Sequence, residues 1–303
     1  MSRLGVSVVI PTLNRDGFLY DSISDMIKQD YPTFEIIIVD QSDNLNNEIE
    51  KLVKDNSDLV RYYRDVGFKG LPQARNFGWQ NAKYEIILYI DDDIRADNNL
   101  IKNHAECYED SEVVLVAGGI DEQHRGLDDK EPSGSFNPWT CTPHRGFASK
   151  RDQIVSHVPG GNFSVKKDII EKIKGVDETL NIGAALYEET DFSLRIKKLN
   201  KKILFKANAR LLHLAADTGG CRVTNDIPKY MKGLAHNRSL VISRHLKVYH
   251  KFTAYARLLL LGLSYSRSDK SLKPFLSTIE GIMAGRKAGQ GAIVCNNYKI
   301  KEQ

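Results

Sequence analysis

The stretch YEIILYIDDD, residues Tyr84–Asp93, decides the fold class of this chain. Its apolar part is rich in isoleucine and does not alternate with polar residues, which is typical of a parallel strand buried on both faces. Three consecutive aspartates then close the strand. Residues two apart in an extended segment face the same way, so we expect Asp91 and Asp93 to share a face while Asp92 points elsewhere. Clustered carboxylates of this kind are typical ligands of Mg²⁺ or Mn²⁺.

Short apolar runs and helical patterns alternate along the chain on the N-terminal side of this stretch. Further strands are predicted at 6–11, 35–43 and 60–64, and helices at 18–29, 46–55 and 71–82. This alternation predicts an α/β fold with a mostly parallel, Rossmann-like central sheet flanked by helices.

The pattern changes after residue 120. Residues 121–158 are polar and rich in glycine and proline, which predicts a functional loop or a flexible lid. We therefore expect a first half at 1–120 and a second half at 121–225. Residues 226–303 form a helical C-terminal extension that is basic to about residue 257 and weakly patterned afterwards.

Composition excludes several classes of protein. The chain has 303 residues, of which 41% are hydrophobic and 27% charged, which excludes a disordered, collagen-like or polytopic membrane protein. A net charge of +4 does not indicate a nucleic-acid partner. The cysteines are Cys107, Cys141, Cys221 and Cys295, and their spacing predicts neither a zinc site nor a disulfide framework. Without a recognisable signal peptide, we expect a cytoplasmic protein.

Polar residues close two other predicted strands. Pro11, Thr12 and Asn14 end the first strand, and Asp40 ends the second. Ligands of open parallel sheets bind at the carboxyl ends of the strands, so these residues are expected to join the aspartates in one site. Taken alone, Asp40 could instead close an Asx turn, and the aspartates could form a solvated acidic loop. Neither GxGxxG nor GxxxxGK[ST] occurs, which argues against a Rossmann dinucleotide site or a P-loop.

Six segments together resemble glycosyltransferase family 2, which has the GT-A fold. They are VSVVIPTLNR, EIIIVDQSDN, GLPQARNFGW, YIDDD, PGGNFSVKK and YEETDFSLRIKK, and they occur in the family's order between about residues 6 and 214. Two departures stand out. Gln41 follows Asp40 where the family has an acid and then a glycine, and Glu188-Glu189 replaces the usual Glu-Asp pair.

The resemblance implies an inverting glycosyltransferase. The donor would be a nucleotide-diphosphate sugar, with a UDP-sugar expected and a dTDP-sugar as the alternative. The acceptor would be a hydroxyl group of a glycan or a lipid-linked acceptor, reached by single displacement with Mn²⁺ or Mg²⁺. The 1–120 half would bind the nucleotide sugar, the 121–225 half would hold the acceptor, and the product would enter a polysaccharide or glycoconjugate.

The resemblance also assigns residue roles. The residues implied to bind the nucleotide or substrates are Pro11, Thr12, Asn14, Asp40, Arg75, Asp91, Asp92, Gly161, Asn162 and Glu188. Thr12 would act largely through its backbone, Asp40 would bind the base, Arg75 would lie near the phosphates, and Asp92 would approach the ribose. The implied metal ligands are Asp93, Asp91 and His213. Because Asp93 ends a strand, we expect its burial to be limited. Glu189 takes the position of the general base.

Several alternatives stay open at this point. His213 could be a structural residue, and Glu188 could only favour the start of its helix. Trp139 and Phe136 could stack on a sugar or pack inside the segment. The basic C-terminal region could contact the inner face of an anionic membrane or simply pack on the body. A metal-dependent nucleotidyltransferase and a non-catalytic nucleotide- or carbohydrate-binding protein are the competing functions.

Overall fold

The computed structural model describes residues 4–123, 129, 132–216, 219–220 and 226–300. Its first half confirms the alternation of strands and helices expected from the sequence. The elements are β1 (Val6–Thr12), α1 (Asp16–Ile27), β2 (Phe34–Asp40), α2 (Asn47–Asp55), β3 (Val60–Tyr63), α3 (Leu71–Gln80) and β4 (Ile86–Ile90). Cys221 lies outside the described residues.

The second half is less regular. It contains β5 (Ile94–Ala96), α4 (Leu100–Ala105), β6 (Val113–Glu122), β7 (Phe136–Asn137), β8 (Thr142–Pro143), β9 (Gln153–Ile154), β10 (Asn162–Lys166), α5 (Lys167–Lys172), α6 (Glu188–Lys197) and β11 (Lys202–His213). Three of these short strands, β7 to β9, fall inside the 121–158 segment. The part of that segment from 132 onward is therefore built into the fold.

Three helices follow: α7 (Ile227–His245), α8 (Val248–Ser268) and α9 (Lys273–Gln290). The third of them, α9, lies in the part of the chain whose sequence pattern is weak. Gly281, Gly285 and Gly289 are four residues apart and face the backbone of α7. A Cβ at Gly285 would lie 2.0 Å from the carbonyl oxygen of His236, so the glycines allow the two helices to pack closely.

In the described part of the chain the main sheet has the strand order β3-β2-β1-β4-β10-β6-β11-β5, with β9 paired to β11. Its first four strands are parallel, as expected. Beyond them β10 runs antiparallel to both β4 and β6, so the sheet as a whole is mixed. Thr12 pairs with Asp40 in register, which places the carboxyl ends of β1 and β2 side by side.

Both faces of the sheet are buried. Along β1, Val9 belongs to one apolar cluster, and Val8 belongs to the cluster on the opposite face. Ile37 and Ile36 of β2 divide between the same two clusters. This explains why the strands are almost continuously apolar, and it leaves the strand ends as the place for polar side chains.

Candidate active site

Two of the three consecutive aspartates lie beside a histidine. One ligand atom from each of Asp91, Asp93 and His213 lies within 4.8 Å of the others. The register of β11 against β5 brings His213 opposite Ile94, the residue after the aspartates. Two carboxylates and one imidazole in this arrangement could hold a divalent cation. The expectation that Asp91 and Asp93 face one way is confirmed.

Asp93 is fully buried, so the limited burial expected for it is wrong. The chain continues from Asp93 into β5, and Ala216 N donates a hydrogen bond of 2.9 Å to its Oδ2. His213 Nε2 lies 3.3 Å from its Oδ1. Burial alone would raise the pKa of Asp93, but the hydrogen bond and charge of His213, with the charge of Arg15, hold that pKa below its usual range.

Asp92 points to the other side and is held by β1. Thr12 Oγ1 donates to Asp92 Oδ2 over 2.6 Å, and Arg15 Nη1 lies 2.8 Å from Asp92 Oδ1. Burial raises the pKa of Asp92 to about 6 in spite of Arg15. The side chain of Thr12 therefore holds Asp92, while its expected backbone contact with a nucleotide stays a prediction. Arg15 was missed by the sequence analysis, although it ends the quoted segment VSVVIPTLNR.

The ends of β2 and β3 line a cavity of about 520 Å³. Asp40 accepts hydrogen bonds from the Tyr62 hydroxyl at 2.5 Å and from Ser42 N at 2.8 Å, so it does close a turn beside the cavity. Gln41 Oε1 accepts from Gly70 N at 2.6 Å. The residue that departs from the family pattern thus ties the strand end to the start of α3.

Asn14 and Pro11, at the end of β1, lie next to this region. Asn14 has a positive φ of 55°, and its N–H donates to Ser42 Oγ over 2.7 Å. Its amide also exchanges hydrogen bonds with Asp43, which joins the loops after β1 and β2. Pro11 is buried within β1 opposite Val39, so it shapes the strand end.

A second cavity of about 280 Å³ joins the acid cluster to the start of α6. Its charged and titratable lining residues are Arg75, Asp91, Glu122, Arg145, His157, Glu188, Glu189 and His213. Two of the residues expected to bind metal, Asp91 and His213, therefore share one cleft with Glu189, the residue expected to act as base. Nothing in the local sequence fixes this, because α6 lies roughly a hundred residues after the aspartates.

Arg75 and Glu188 form a buried ion pair at the wall of this cleft. Arg75 Nη2 also donates to Gly160 O over 2.6 Å, and its guanidinium lies 5.4 Å from the ring centre of Phe163. Arg75 is therefore not an exposed helix arginine. Glu188 stands in the first turn of α6, but its carboxylate is committed to Arg75, so the simple helix-start alternative is wrong.

Glu189 is the more open of the two acids, with 23% of its side chain exposed. The His157 Nε2 atom lies 3.8 Å from Glu189 Oε1, and the His157 ring stacks on Phe147. Burial opposes ionisation of Glu189, but the nearby His157 and the charge of Arg75 outweigh it, so the pKa of Glu189 lies below its usual value. The sequence analysis missed His157, whose only signal is its place just before the two glycines.

Gly161 and Asn162 are neighbours with different surroundings. A Cβ at Gly161 would lie 2.4 Å from Asp91 Oδ2, so its missing side chain leaves room for that carboxylate. Asn162 is fully buried, and its Nδ2 donates to the carbonyl oxygens of Gly119 and Ala209, each over 2.9 Å. Its amide is thus engaged in the sheet and does not line the cleft beside Gly161, and its implied role in substrate binding stays a prediction.

The loop aromatics pack rather than line the cleft. Trp139 lies edge-on to His250, with ring centres 4.5 Å apart, and also contacts Tyr249 of α8. Phe136 packs against the apolar cluster of the C-terminal helices. The packing alternative is therefore the one the structure supports.

The chain is similar in sequence to known glycosyltransferases. Residues 7–174 match the family model described as glycosyl transferase family 2. The chain is 27% identical over 195 residues to a GalNAc(5)-diNAcBac-PP-undecaprenol beta-1,3-glucosyltransferase of Campylobacter jejuni, covering 62% of this chain and 61% of that protein. It is 31% identical over 208 residues to glycosyltransferase GlyG of Streptococcus pneumoniae, covering 68% and 59% respectively. The match thus spans about three fifths of each relative's length.

Solved structures share the fold. The crystal structure of GalNAc-T7 with UDP, GalNAc and Mn²⁺ superposes with a TM-score of 0.62 at 18% identity, covering 92% of this chain and 57% of that one. The mannosyltransferase PcManGT from Pyrobaculum calidifontis, in complex with GDP-Man and Mn²⁺, gives a TM-score of 0.57 at 15% identity, covering 96% and 87%. The expected GT-A fold is confirmed.

Proposed function

The chain belongs to glycosyl transferase family 2, and we propose that it transfers a sugar from a nucleotide-diphosphate sugar to a hydroxyl group of a glycan or lipid-linked acceptor. The observation that carries this proposal is the single cleft shared by Asp91, His213 and Glu189. Such a cleft offers a cation site for the leaving diphosphate and a carboxylate for the attacking hydroxyl. A single displacement of the diphosphate by the hydroxyl group would invert the configuration of the anomeric carbon.

The residues at the strand ends suit a divalent cation. Asp93 Oδ1 is buried and lies 3.3 Å from His213 Nε2, so the two atoms are close enough to be ligands of one cation. Asp91 and His213 supply two further donors nearby. The mixed oxygen and nitrogen set favours Mn²⁺, with Mg²⁺ as the alternative. When bound, the cation would supply positive charge for the leaving nucleoside diphosphate.

Glu189 is proposed as the general base. Its pKa lies below its usual value, its side chain is partly open to the cleft, and His157 Nε2 lies 3.8 Å from its carboxylate. In this role its carboxylate would take the proton from the acceptor hydroxyl as the oxygen attacks the anomeric carbon. One carboxylate is enough, because the cation site takes the place of the acid partner that a glycosidase requires.

The cavity beside Asp40 is proposed to hold the nucleotide base. Asp40 lines it and can accept a hydrogen bond from a ring N–H, while Asn14 shapes the adjoining loop. We assign Asp92, which Thr12 holds at the end of β1 next to Asp93, to the ribose. We propose a UDP-sugar as donor, in line with the UDP and Mn²⁺ named for the GalNAc-T7 structure. A dTDP-sugar carries the same ring N–H and is the alternative.

A lipid-linked acceptor is supported by the name of the Campylobacter relative, which acts on an undecaprenol-linked glycan. We accordingly place this protein in polysaccharide or glycoconjugate synthesis. A nucleotidyltransferase is less well supported, because Arg15 after β1 is committed to Asp92 and Asp93 and no glycine-rich phosphate loop follows. A purely non-catalytic role leaves the partly exposed Glu189 unexplained.

The test is a panel of UDP-, dTDP- and GDP-sugars with the purified full chain, with Mn²⁺, with Mg²⁺ and with EDTA. We expect one donor to raise the melting temperature only when the cation is present. A ligand at 100 times its Kd stabilises by about 2.7 kcal/mol. If no nucleotide sugar changes the melting temperature or releases its nucleoside diphosphate, the proposed function is wrong.

A further inference from the structure

Helix α8 turns its apolar side outward. Its buried residues are Ala254, Leu258, Gly262 and Ser266, which follow one another at four-residue spacing. The exposed large apolar residues on the other side are Val248, Tyr249, Phe252, Leu260 and Leu263. Leu258 is 0% exposed whereas Phe252 is 80% exposed. A helix packed on a protein body normally shows the reverse, with its apolar stripe inward and its polar face outward.

The charges of the C-terminal helical region are mostly positive. Residues 227–300 contain 13 Lys and Arg but only two Asp and Glu, a net charge of +11. The rest of the chain carries 30 Lys and Arg against 37 Asp and Glu, a net charge of −7. Helix α8 itself has no acidic residue, and its exposed Arg257 and Arg267, with Lys247 just before the helix, border the apolar stripe.

Two aromatic rings sit at the N-terminal end of the stripe. Trp139 reaches from the β7–β8 hairpin to contact Tyr249, and both are about half exposed, at 52% and 54%. Tryptophan and tyrosine have an apolar body with one polar group, and they are favoured where an apolar layer meets water.

We propose that the outer face of α8, from Val248 to Leu263, docks in the plane of an anionic lipid bilayer. The apolar stripe would enter the headgroup boundary while the flanking basic side chains meet acidic headgroups. No helix within the described ranges is long and apolar enough to span a membrane, so this contact is with one face only. A second copy of this chain is a poorer occupant, because two surfaces of the same positive sign repel each other.

Docking would also determine how the cleft is positioned relative to the bilayer. The segment that supplies Trp139 continues into Arg145 and Phe147, which line the cavity beside Glu189. If the proposed function holds, a lipid-linked acceptor would meet the cleft from the membrane side. The docking itself does not depend on that function, since it requires neither donor nor acceptor.

The experiment is flotation of the full chain with vesicles of phosphatidylcholine alone and of phosphatidylcholine mixed with phosphatidylglycerol. We expect the chain to float with the mixed vesicles, and raised salt to weaken this binding because screening reduces charge attraction. Phe252→Glu should lower the vesicle affinity by about tenfold or more, because burying a side chain of this size contributes about 1.5–3 kcal/mol. Leu260→Glu should act in the same direction.

Ile154→Glu is the matched control, because Ile154 is also exposed (62%) and apolar but lies on β9 of the body. It should float like the unmodified chain. Melting temperatures check that all variants fold, and light scattering reports the oligomeric state. The proposal is overturned if the unmodified chain does not float, if Phe252→Glu floats equally well, or if Phe252→Glu only converts a dimer to a monomer. The donor panel without vesicles tests the proposed function separately.

Discussion

The strand-end cleft buries charged side chains, whereas the outer face of α8 exposes apolar ones. Both differ from the usual arrangement, in which apolar side chains are buried and charged ones are exposed. In the cleft, Asp93, Arg75 and Glu188 are charged and buried. On α8, Phe252 and Leu260 are apolar and exposed. Buried charges cost free energy unless they are paired, so the cleft residues are held by fixed partners. Exposed apolar side chains in a continuous patch indicate a surface that meets something apolar.

The contrast makes different kinds of change harmful in the two regions. In the cleft, removing a charge at constant size should be damaging, because partners are left unpaired. On α8, the effect of truncating an apolar side chain should depend on whether that side chain is buried or exposed. The following variants test each side of this comparison.

The largest effect is expected for Asp93→Asn, which keeps the size of the side chain but removes a proposed metal ligand. It should abolish Mn²⁺-stimulated donor turnover, because the charge that balances the leaving diphosphate is lost. Initial rates against Mn²⁺ concentration measure this. Asp110→Asn is the control, since Asp110 is exposed, pairs with Lys202 and lines neither of the two cavities. Normal Mn²⁺ stimulation in Asp93→Asn would remove it from the metal site.

Glu189→Gln should lower kcat by about 10²- to 10⁴-fold, since it removes the proposed proton acceptor. Donor binding should change little, because the carboxylate is assigned to the acceptor side. Single-turnover rates and donor melting shifts separate the two. Glu189→Asp should keep partial activity, as the family usually has Asp here. A normal kcat in Glu189→Gln would mean that the base lies elsewhere.

Glu188→Gln should instead act on stability. It leaves the buried Arg75 without its charged partner, which costs about 3–5 kcal/mol for a pair of this kind. From the sequence alone a loss of about 1 kcal/mol would be expected for an acid at a helix start. Urea unfolding distinguishes these values. If Glu188→Gln unfolds like the unmodified chain, the ion pair does not stabilise the fold.

The two faces of α8 can be compared on one helix. Leu258→Ala should destabilise by about 2–5 kcal/mol, because Leu258 is fully buried and leaves a cavity. Leu260→Ala should change the free energy of unfolding by no more than about 0.5 kcal/mol, because Leu260 is exposed. Equal costs at both positions, measured by urea unfolding, would contradict the orientation of the helix.

The smallest effect is a shift in pH dependence. His157 holds the pKa of Glu189 down against burial, so His157→Phe should let that pKa rise. Glu189 would then become protonated at a higher pH, and the acid limb of the kcat profile should move upward. His144→Phe is the control, because His144 is exposed. An acid limb that stays in place or moves down would show that His157 does not support Glu189.

Much of the site could be predicted from local pattern. The apolar run before Asp91 predicted a buried strand, and the two-residue repeat of an extended backbone predicted that Asp91 and Asp93 share a face. The order of the family-like segments indicated the fold and the candidate base. The first two features depend on neighbouring residues and the third on the order of segments along the chain, so the sequence determined them by itself.

Other features depend on partners far along the chain, and only the tertiary structure decided them. Arg75 meets Glu188 across more than a hundred residues, and Asn162 turns into the sheet because Gly119 and Ala209 supply carbonyl oxygens there. The periodicity of α8 likewise shows that it is amphipathic but not which side packs. That side was decided by the close approach of α9, where Thr278 accommodates only a glycine at position 262. Packing space at Gly262 therefore helps to decide which side of α8 faces the body, and it leaves Leu260 and Leu263 exposed.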